Sequence, residues 1–391
     1  MTGQSRVCEK ILSVLGDVIP SGVSLHEPEF AGKEWEYVKD CLDTGWVSTA
    51  GKYVETFESM LADFTGAKHA VATVNGTAAL HACLVLAGVE TGDEVMMPAL
   101  TFVGTANAAA GMGAIPHFVD VEERSLGLDP VKLDAHLGAI AEITADGCRN
   151  KKTGRKIAAC VPVHTFGHPV DLDPLVEVCR KFNLTLIEDA AESLGSYYNN
   201  RHTGNFGRLS ALSFNGNKTI TTGGGGAILT NDSELAALAR HLTTTAKIAH
   251  KWEYRHDQVG FNYRLPNINA ALGCAQMEQL PRFLDQKRRL AVAYAEAFAA
   301  VEDMRFFTEP DFAKSNYWLN VLLLDVGVAD LRDDILGATN AQGFMTRPAW
   351  APMHQLPMYA GCPRMDLGVS DDLCRRIINI PSSAQLVTEI S

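Results

Sequence analysis

Lys218 stands five positions after Ser213, in a stretch that reads Ser-Phe-Asn-Gly-Asn-Lys and begins in a short apolar run. A lysine amine forms imines with aldehydes, and a hydroxyl at this spacing suits a phosphate on the same small molecule. An exposed loop lysine would give the same pattern, so the spacing alone is a weak signal. Motifs elsewhere in the chain have to decide between the two interpretations.

A second short motif suits a phosphate group. Asn75, Gly76 and Thr77 follow a predicted strand and open a predicted helix, where free backbone N–H groups and the helix dipole attract an anion. A glycine turn with a threonine cap is the alternative interpretation. The chain contains neither G-x-x-x-x-G-K-[ST] nor G-x-G-x-x-G, so the motif predicts a site for a single phosphate.

The third element is an acid at the end of an apolar strand. Glu188 and Asp189 follow the apolar run that ends at Ile187. An ionised carboxylate in such a place needs a cation or strong hydrogen bonds, and a protonated pyridine nitrogen is such a cation. Two carboxylates for glycoside hydrolysis are a poorer interpretation, because adjacent strand residues point to opposite faces.

Together the three elements predict a site for pyridoxal 5'-phosphate. Lys218 would form the imine and later carry a proton between carbons, while Asp189 would face the ring nitrogen. The predicted phosphate ligands are Gly76, Thr77, Ala78 and Ser213. Phe102, just after a predicted strand, could cover one face of the ring, and a core aromatic is the alternative interpretation.

These residues follow the ends of a series of predicted strands. Strands are expected at residues 70–73, 94–97, 115–119, 158–163, 185–187, 211–214 and 227–229, with helices at 77–87, 103–110 and 130–137. Such alternation predicts an α/β fold with a mostly parallel sheet. Ligands of such sheets bind beyond the carboxyl ends of the strands, where the candidate residues lie.

The pattern predicts two domains. A large cofactor-binding domain with an N-terminal segment is expected over residues 1–265, and a linking helix with a small α+β domain over 266–391. The helix should run over about 268–301. In the small domain a strand is expected at 318–325 and a helix at 370–377.

Composition limits the possible functions. The 391 residues are 47% hydrophobic and carry a formal charge of -12, which argues against a nucleic-acid surface. Nine cysteines without a C-x-x-C pair favour reduced thiols over a disulfide framework or a zinc site, so no metal is expected. There is no apolar run of about 20 residues and no secretory segment, which predicts a cytoplasmic protein without a membrane span.

The ordered motifs NGTAAL, PALTFVGTANA, VHTFGHPVDLDP, LIEDAAESLGS, SFNGNKTITTGGGGAILT and GFNYRLPNINAALG resemble the DegT-type nucleotide-sugar aminotransferases. The resemblance runs from about Leu25 to the C-terminus. It implies the aspartate aminotransferase fold, called fold type I, and a homodimer with the cofactor at the subunit interface. It also implies transfer of an amino group from L-glutamate to a keto carbon of a nucleotide-linked deoxysugar.

Individual roles follow from the same resemblance. Lys218 matches the Schiff-base lysine, Asp189 the partner of the pyridinium nitrogen, and Phe102 the aromatic stacked on the ring. Ser213, Thr77 and Ala78 match the phosphate site, which Asn262 reaches from the neighbouring subunit. Many members have Gln or His where this chain has Glu192, which leaves open what meets the ring hydroxyl of the cofactor; a protonated or water-bridged Glu192 could serve.

The resemblance also bears on the reaction. Sugar 3-dehydratases of the family replace the lysine with histidine, so Lys218 favours amino transfer. The C-terminal stretch around Arg347 and Trp350 resembles enzymes of legionaminic acid and bacillosamine synthesis, which aminate C4 of a UDP-linked 4-keto-6-deoxy-N-acetylhexosamine. The alternatives are the same reaction on GDP-4-keto-6-deoxymannose, giving perosamine, and a regulatory or sensor protein that keeps the cofactor fold.

Five further residues have side chains suited to stacking on a base or bonding phosphate and sugar oxygens. These candidate substrate residues are Trp46, Ser48, Lys247, Arg264 and His354. A structural role is the alternative for each of them.

Overall fold

The computed structural model describes residues 3–389. Its α-helices are α1 (Gly3–Val18), α2 (Glu34–Thr44), α3 (Lys52–Thr65), α4 (Gly76–Leu86), α5 (Val103–Ala110), α6 (Pro130–Ile140), α7 (Leu172–Lys181), α8 (Ser233–Thr243), α9 (Asn267–Phe298), α10 (Arg332–Ala341) and α11 (Gly368–Arg376). Its strands are β1 (His69–Thr73), β2 (Glu94–Pro98), β3 (Ile115–Val119), β4 (Ala141–Thr144), β5 (Gly147–Asn150), β6 (Ile157–Cys160), β7 (Thr185–Asp189), β8 (Tyr197–Tyr198), β9 (Arg201–His202), β10 (Leu209–Ser213), β11 (Gly226–Thr230), β12 (Lys247–Ile248), β13 (Arg255–His256), β14 (Met304–Phe306), β15 (Ala313–Lys314), β16 (Asn320–Leu324), β17 (Arg347–Pro348) and β18 (Ile377–Ile380).

The central sheet has seven strands in the order β1-β11-β10-β7-β6-β2-β3. β11 runs antiparallel to both of its neighbours, and the other neighbouring pairs are parallel. The predicted mostly parallel α/β sheet is therefore confirmed. Because β1, β7 and β10 point the same way, the residues that follow them meet at one edge of the sheet.

Helices cover both faces of this sheet. Leu80 of α4 packs on one face with Val95 and Ile228, and Phe57 of α3 packs on the other with Phe214. Strands that are buried on both faces read as continuous apolar runs, which explains why their positions could be predicted.

The C-terminal part contains an antiparallel four-stranded sheet in the order β14-β16-β18-β17, with α10 and α11 packed against it. The predicted α+β character of this part is confirmed. α1 shares its core, since Ile11 and Leu15 pack with Tyr294 and Ile378. The domain boundary at residues 265 and 266 stays a prediction, and residues 1–2 and 390–391 of the predicted domains lie outside the described residues.

Several predicted elements have different ends in the structure. The strand expected at 158–163 ends at Cys160, and Pro162, which has no N–H to donate, follows soon after. The strand expected at 318–325 starts only at Asn320, after Tyr317 with a φ of 49°. The last helix ends at Arg376, because Ile377 already belongs to β18.

Two features of the described residues bear on class. Within residues 3–389, no helix is both long enough and apolar enough to cross a bilayer. The same residues hold no group of three or more His, Cys, Asp or Glu side chains that could bind a metal ion.

Candidate active site

A cavity of about 410 Å³ lies at the carboxyl edge of the central sheet. Its walls come from the turns after β1, β7 and β10, from the start of α5, and from two tryptophans of the C-terminal part. The lining residues are Asn75, Gly76, Thr77, Leu80, Thr101, Phe102, Gly104, Thr105, Val163, Asp189, Ala191, Glu192, Ser213, Asn215, Asn217, Lys218, Trp318 and Trp350. The cavity thus contains most of the predicted cofactor residues.

Lys218 reaches this cavity from a tight turn after β10. Its backbone N–H donates to the carbonyl of Asn215 at 3.0 Å, which closes the turn. Its Nζ lies 3.2 Å from Oε1 of Glu192 and 3.7 Å from the ring centroid of Trp318. The side chain is 12% exposed, so the amine is largely enclosed and not a loop lysine in solvent.

Asp189 ends β7 inside the same cavity. Its Oδ2 accepts the hydroxyl of Thr105 at 2.8 Å, and its Oδ1 accepts the N–H of Ala191 at 3.2 Å. Burial raises the pKa of Asp189 above its usual value. This effect outweighs these hydrogen bonds and the Lys218 charge, which act in the opposite direction. A carboxylate with two neutral donors in a buried place would gain much from a cation.

Glu188 points to the opposite side of β7. It accepts the N–H groups of Gly204, Phe206 and Gly207 at 2.7 Å each and lies 3.1 Å from His164. Burial by itself raises the pKa of Glu188, but these partners together lower it below its usual value. Glu188 and Asp189 therefore face different sides, so a paired-carboxylate site is excluded here.

The start of α4 and the end of β10 approach closely beside Lys218. A Cβ atom on Gly76 would lie 2.8 Å from the Cβ of Ser213, so a side chain there would force Ser213 or the turn to move. Within residues 3–389, the N–H groups of Gly76 and Thr77 have no protein partner, whereas that of Ala78 donates to Oδ1 of Asn75 at 2.7 Å. Ala78 lies outside the cavity, so two N–H groups and the Ser213 hydroxyl remain to bind an anion.

Phe102 lies at the start of α5 with 52% of its surface exposed. Its ring meets that of Trp350 edge-on, with 6.2 Å between the centroids. This exposure contradicts the alternative of a core aromatic. The ring is free to cover a planar ligand in the cavity.

Glu192 is bonded through both carboxylate oxygens. Oε1 is the partner of the Lys218 amine, and Oε2 accepts the N–H of Phe166 at 2.8 Å. Burial raises the pKa of Glu192, opposed chiefly by the Lys218 charge. Glu192 therefore contacts the lysine itself.

The sequence analysis assigned no role in the site to three important residues of the cavity. Thr105 holds Asp189, Trp318 covers the Lys218 amine, and Trp350 stacks on Phe166 with 4.8 Å between the centroids. Thr105 lies inside the motif PALTFVGTANA but nothing there links it to Asp189, and both tryptophans come from the C-terminal part of the chain. Only the tertiary fold shows that they share the site.

The structure does not bring the other predicted residues to this cavity. Asn262 is exposed, and Trp46 lines a separate cavity of about 360 Å³ with Tyr53. Ser48 is exposed, Lys247 lies over the exposed ring of Tyr254, Arg264 borders a groove with Glu58, and His354 pairs with Asp371 at 3.2 Å. Their roles stay predictions.

The cavity residues fit pyridoxal phosphate on three observations. Asp189 is a buried acid without a cationic partner in direct contact among the described residues, Lys218 presents an amine, and the Gly76 turn presents free N–H groups beside Ser213. These are the groups needed by the ring nitrogen, the aldehyde and the phosphate. The fold and the site define the class of pyridoxal-phosphate-dependent aminotransferases of fold type I.

Comparison with known proteins gives the family. The model of the DegT/DnrJ/EryC1/StrS aminotransferase family matches residues 28–390. GDP-perosamine synthase of Caulobacter vibrioides is 37% identical over 367 residues, covering 93% of this chain and 94% of that protein. The enzyme of that name from Escherichia coli O157:H7 is 35% identical over 367 residues, covering 94% and 95%.

A solved structure agrees with these relatives. PseC of Helicobacter pylori, an aminotransferase involved in the biosynthesis of pseudoaminic acid, matches with a TM-score of 0.84 and 25% identity, covering 94% of this chain and 96% of that one. The chain belongs to the DegT/DnrJ/EryC1/StrS family and is a pyridoxal-phosphate-dependent sugar aminotransferase. The predicted family, enzyme class and cofactor are confirmed.

Proposed function

We propose that this aminotransferase moves the amino group of L-glutamate to C4 of GDP-4-keto-6-deoxymannose and so forms GDP-perosamine. The observation that supports amino transfer is that one cavity contains Lys218, Asp189 and the free N–H groups of Gly76 and Thr77. The two GDP-perosamine synthases that cover nearly the whole chain support the sugar. This is the alternative substrate of the sequence analysis rather than the favoured UDP-linked hexosamine.

The side chains would divide the work as follows. When bound, pyridoxal phosphate accepts the amino group and stabilises the charge left when a substrate carbon loses a proton. Asp189 would keep the ring nitrogen protonated, and Ser213 would help Gly76 and Thr77 hold the phosphate. Lys218 would attach the cofactor and, once free, move a proton between the substrate carbon that bears the nitrogen and the cofactor. Since one cavity serves both substrates, donor and sugar would react in turn.

We also propose a two-fold homodimer in which each cavity is completed by the partner subunit. Asn262, Lys247 and Trp46 are exposed and lie outside the cavity of their own chain. The segment near Lys247 also exposes 72% of Trp252 and 82% of Tyr254, large apolar surfaces that favour a protein contact. The support for this arrangement is that these three candidate residues are exposed, and that two exposed aromatics lie on the same segment as Lys247.

The role of Lys218 is tested by replacing it. Purified protein mixed with pyridoxal phosphate should show a visible absorbance band of covalently attached cofactor, and Lys218→Ala should lack it. Lys181→Ala is the control, because that lysine is 59% exposed on α7 and pairs with Asp134. A band of wild-type strength in Lys218→Ala would contradict the assignment.

The sugar is tested by a single half reaction. Protein loaded with pyridoxamine phosphate is incubated with GDP-4-keto-6-deoxymannose or with a UDP-linked 4-keto-6-deoxy-N-acetylhexosamine, and the return of the visible band is timed. We expect the GDP sugar to react faster. Faster reaction of the UDP sugar would instead favour the UDP-linked hexosamine of the sequence analysis.

The dimer is tested by mixing two inactive variants. If Asn262 serves the partner's cavity, Lys218→Ala and Asn262→Ala protein that exchange subunits should together recover about a quarter of wild-type activity, since half of the dimers then hold one intact site. If both residues served the same chain, mixing would recover none.

A further inference from the structure

The Lys218 amine has an aromatic neighbour as well as an acidic one. Its Nζ lies 3.7 Å from the ring centroid of Trp318, which is 3% exposed. The negative face of an indole attracts an ammonium group, more strongly than Tyr or Phe and most strongly when water is excluded. Trp318 is therefore placed to bind the amine whenever that amine carries a proton.

The same indole also holds the backbone beside the lysine. Nε1 of Trp318 donates to the carbonyl of Asn217 at 2.7 Å. A buried tryptophan N–H normally finds an acceptor, and here the acceptor belongs to the residue that precedes Lys218. One side chain thus contacts both ends of the lysine, its amine and the peptide unit from which it extends.

Trp318 is itself fixed from two sides. The backbone N–H of Trp318 donates to Oδ1 of Asn316 at 2.8 Å, and its backbone carbonyl accepts a hydrogen bond from Nζ of Lys287 at 3.2 Å. Nδ2 of Asn316 donates to the carbonyl of Glu192 at 2.9 Å. Asn316 therefore ties together both neighbours of the amine, Trp318 from the C-terminal part and Glu192 from the turn after β7.

We propose that Trp318 is the positioning residue of Lys218, with its indole face holding the amine at the wall of the cavity. This inference rests on the proposed role of Lys218 as attachment point and base. A lysine has a flexible four-carbon stem, and its amine must return to one place each time the cofactor leaves and rejoins it. A misplaced reacting group loses much of its rate even when every substrate contact is kept.

The experiment compares Trp318→Phe, Trp318→Leu and fluorinated tryptophans placed at position 318. The first readout is the rate at which added pyridoxal phosphate attaches to cofactor-free protein, followed by the visible band and mapped to Lys218 by peptide mass spectrometry. The second is the division of any loss between kcat and KM. Fluorinated tryptophan at position 35, which is 85% exposed, controls for incorporation.

We expect Trp318→Leu to slow attachment and kcat by about tenfold or more with KM nearly unchanged, and Trp318→Phe to recover most of the rate. Fluorine withdraws charge from the ring face with little change of shape, so the rate of attachment should change with each added fluorine while the melting temperature stays the same. The fluorinated series tests the role of the indole face even if Trp318→Leu fails to fold.

Equal rates across the fluorinated series, or Trp318→Phe as slow as Trp318→Leu, would overturn the proposal. Attachment is measured without any sugar, so a wrong sugar assignment leaves this test intact. If the mass spectra showed pyridoxal phosphate attached to a residue other than Lys218, the role of Lys218 and this inference would both be overturned.

Discussion

Glu188 and Asp189 are neighbours on one strand, yet the first has many hydrogen-bond donors around it and the second has few. Glu188 has three backbone N–H donors and His164, and its pKa is lowered despite burial. Asp189 has one hydroxyl and one N–H donor, and burial raises its pKa. A fully bonded buried acid stabilises a fold, whereas a sparsely bonded one beside a cavity is available for a ligand.

The largest effect should follow Asp189→Asn. Loss of the negative charge opposite the ring nitrogen should lower turnover by on the order of 10²–10³-fold, the size seen when one electrostatic contact is removed from an active site. The free energy of unfolding of cofactor-free protein should not fall, because the charge is poorly paired. Steady-state kinetics and urea unfolding check both parts; a large stability loss would contradict the comparison.

Glu188→Gln should do the reverse. The amide cannot serve both His164 and three N–H donors, so the cofactor-free protein should lose about 3 kcal/mol of unfolding free energy. Urea unfolding measures this, with Glu177→Gln as control because that side chain is 63% exposed. A loss below about 1 kcal/mol would mean that Glu188 is no anchor.

The pH dependence of stability should separate the two acids. The lowered pKa of Glu188 means that its contribution is present above the unfolded value of about 4.3 and is lost as pH falls through the folded value. The raised pKa of Asp189 means that the folded protein still binds this proton at pH values where the unfolded chain has lost it. Stability therefore falls as pH rises from the unfolded value of about 3.9 through the folded value.

Melting curves of cofactor-free variants between acid and neutral pH test this sign. The deficit of Glu188→Gln relative to wild type should shrink on acidification. Any gain of Asp189→Asn should be largest at neutral pH and vanish in acid. Parallel curves for the two variants would refute the difference between the acids.

The smallest effect is expected at the phosphate turn. In Gly76→Ala the new Cβ would press on Ser213 and displace the free N–H groups, so cofactor affinity should fall by about tenfold, or about 1.4 kcal/mol. Titration of cofactor-free protein measures this. Gly138→Ala is the control, since a Cβ there meets no neighbour within 4 Å.

Features that depend on residues close together in the chain could be predicted from the sequence, and features that depend on distant residues could not. The apolar runs located all seven central strands, and turn motifs located Gly76, Asp189, Ser213 and Lys218 at one edge, because both signals are local in the chain. The contacts of Trp318 with Lys218 and of Thr105 with Asp189 were not predicted, since they depend on packing between distant segments. The candidate substrate residues need a partner subunit for their test, so one chain leaves them as predictions.

The sequence by itself determined the sheet, the cofactor and which lysine lies in the cavity, because periodicity, turn residues and residue type act over a few positions. It also predicted that Glu188 and Asp189 face opposite sides. Only the tertiary structure decided which acid is saturated with hydrogen bonds, that Glu192 meets Lys218, and that Trp318 covers the amine. Those contacts join segments up to 100 residues apart, as with Lys218 and Trp318, and only folding creates them.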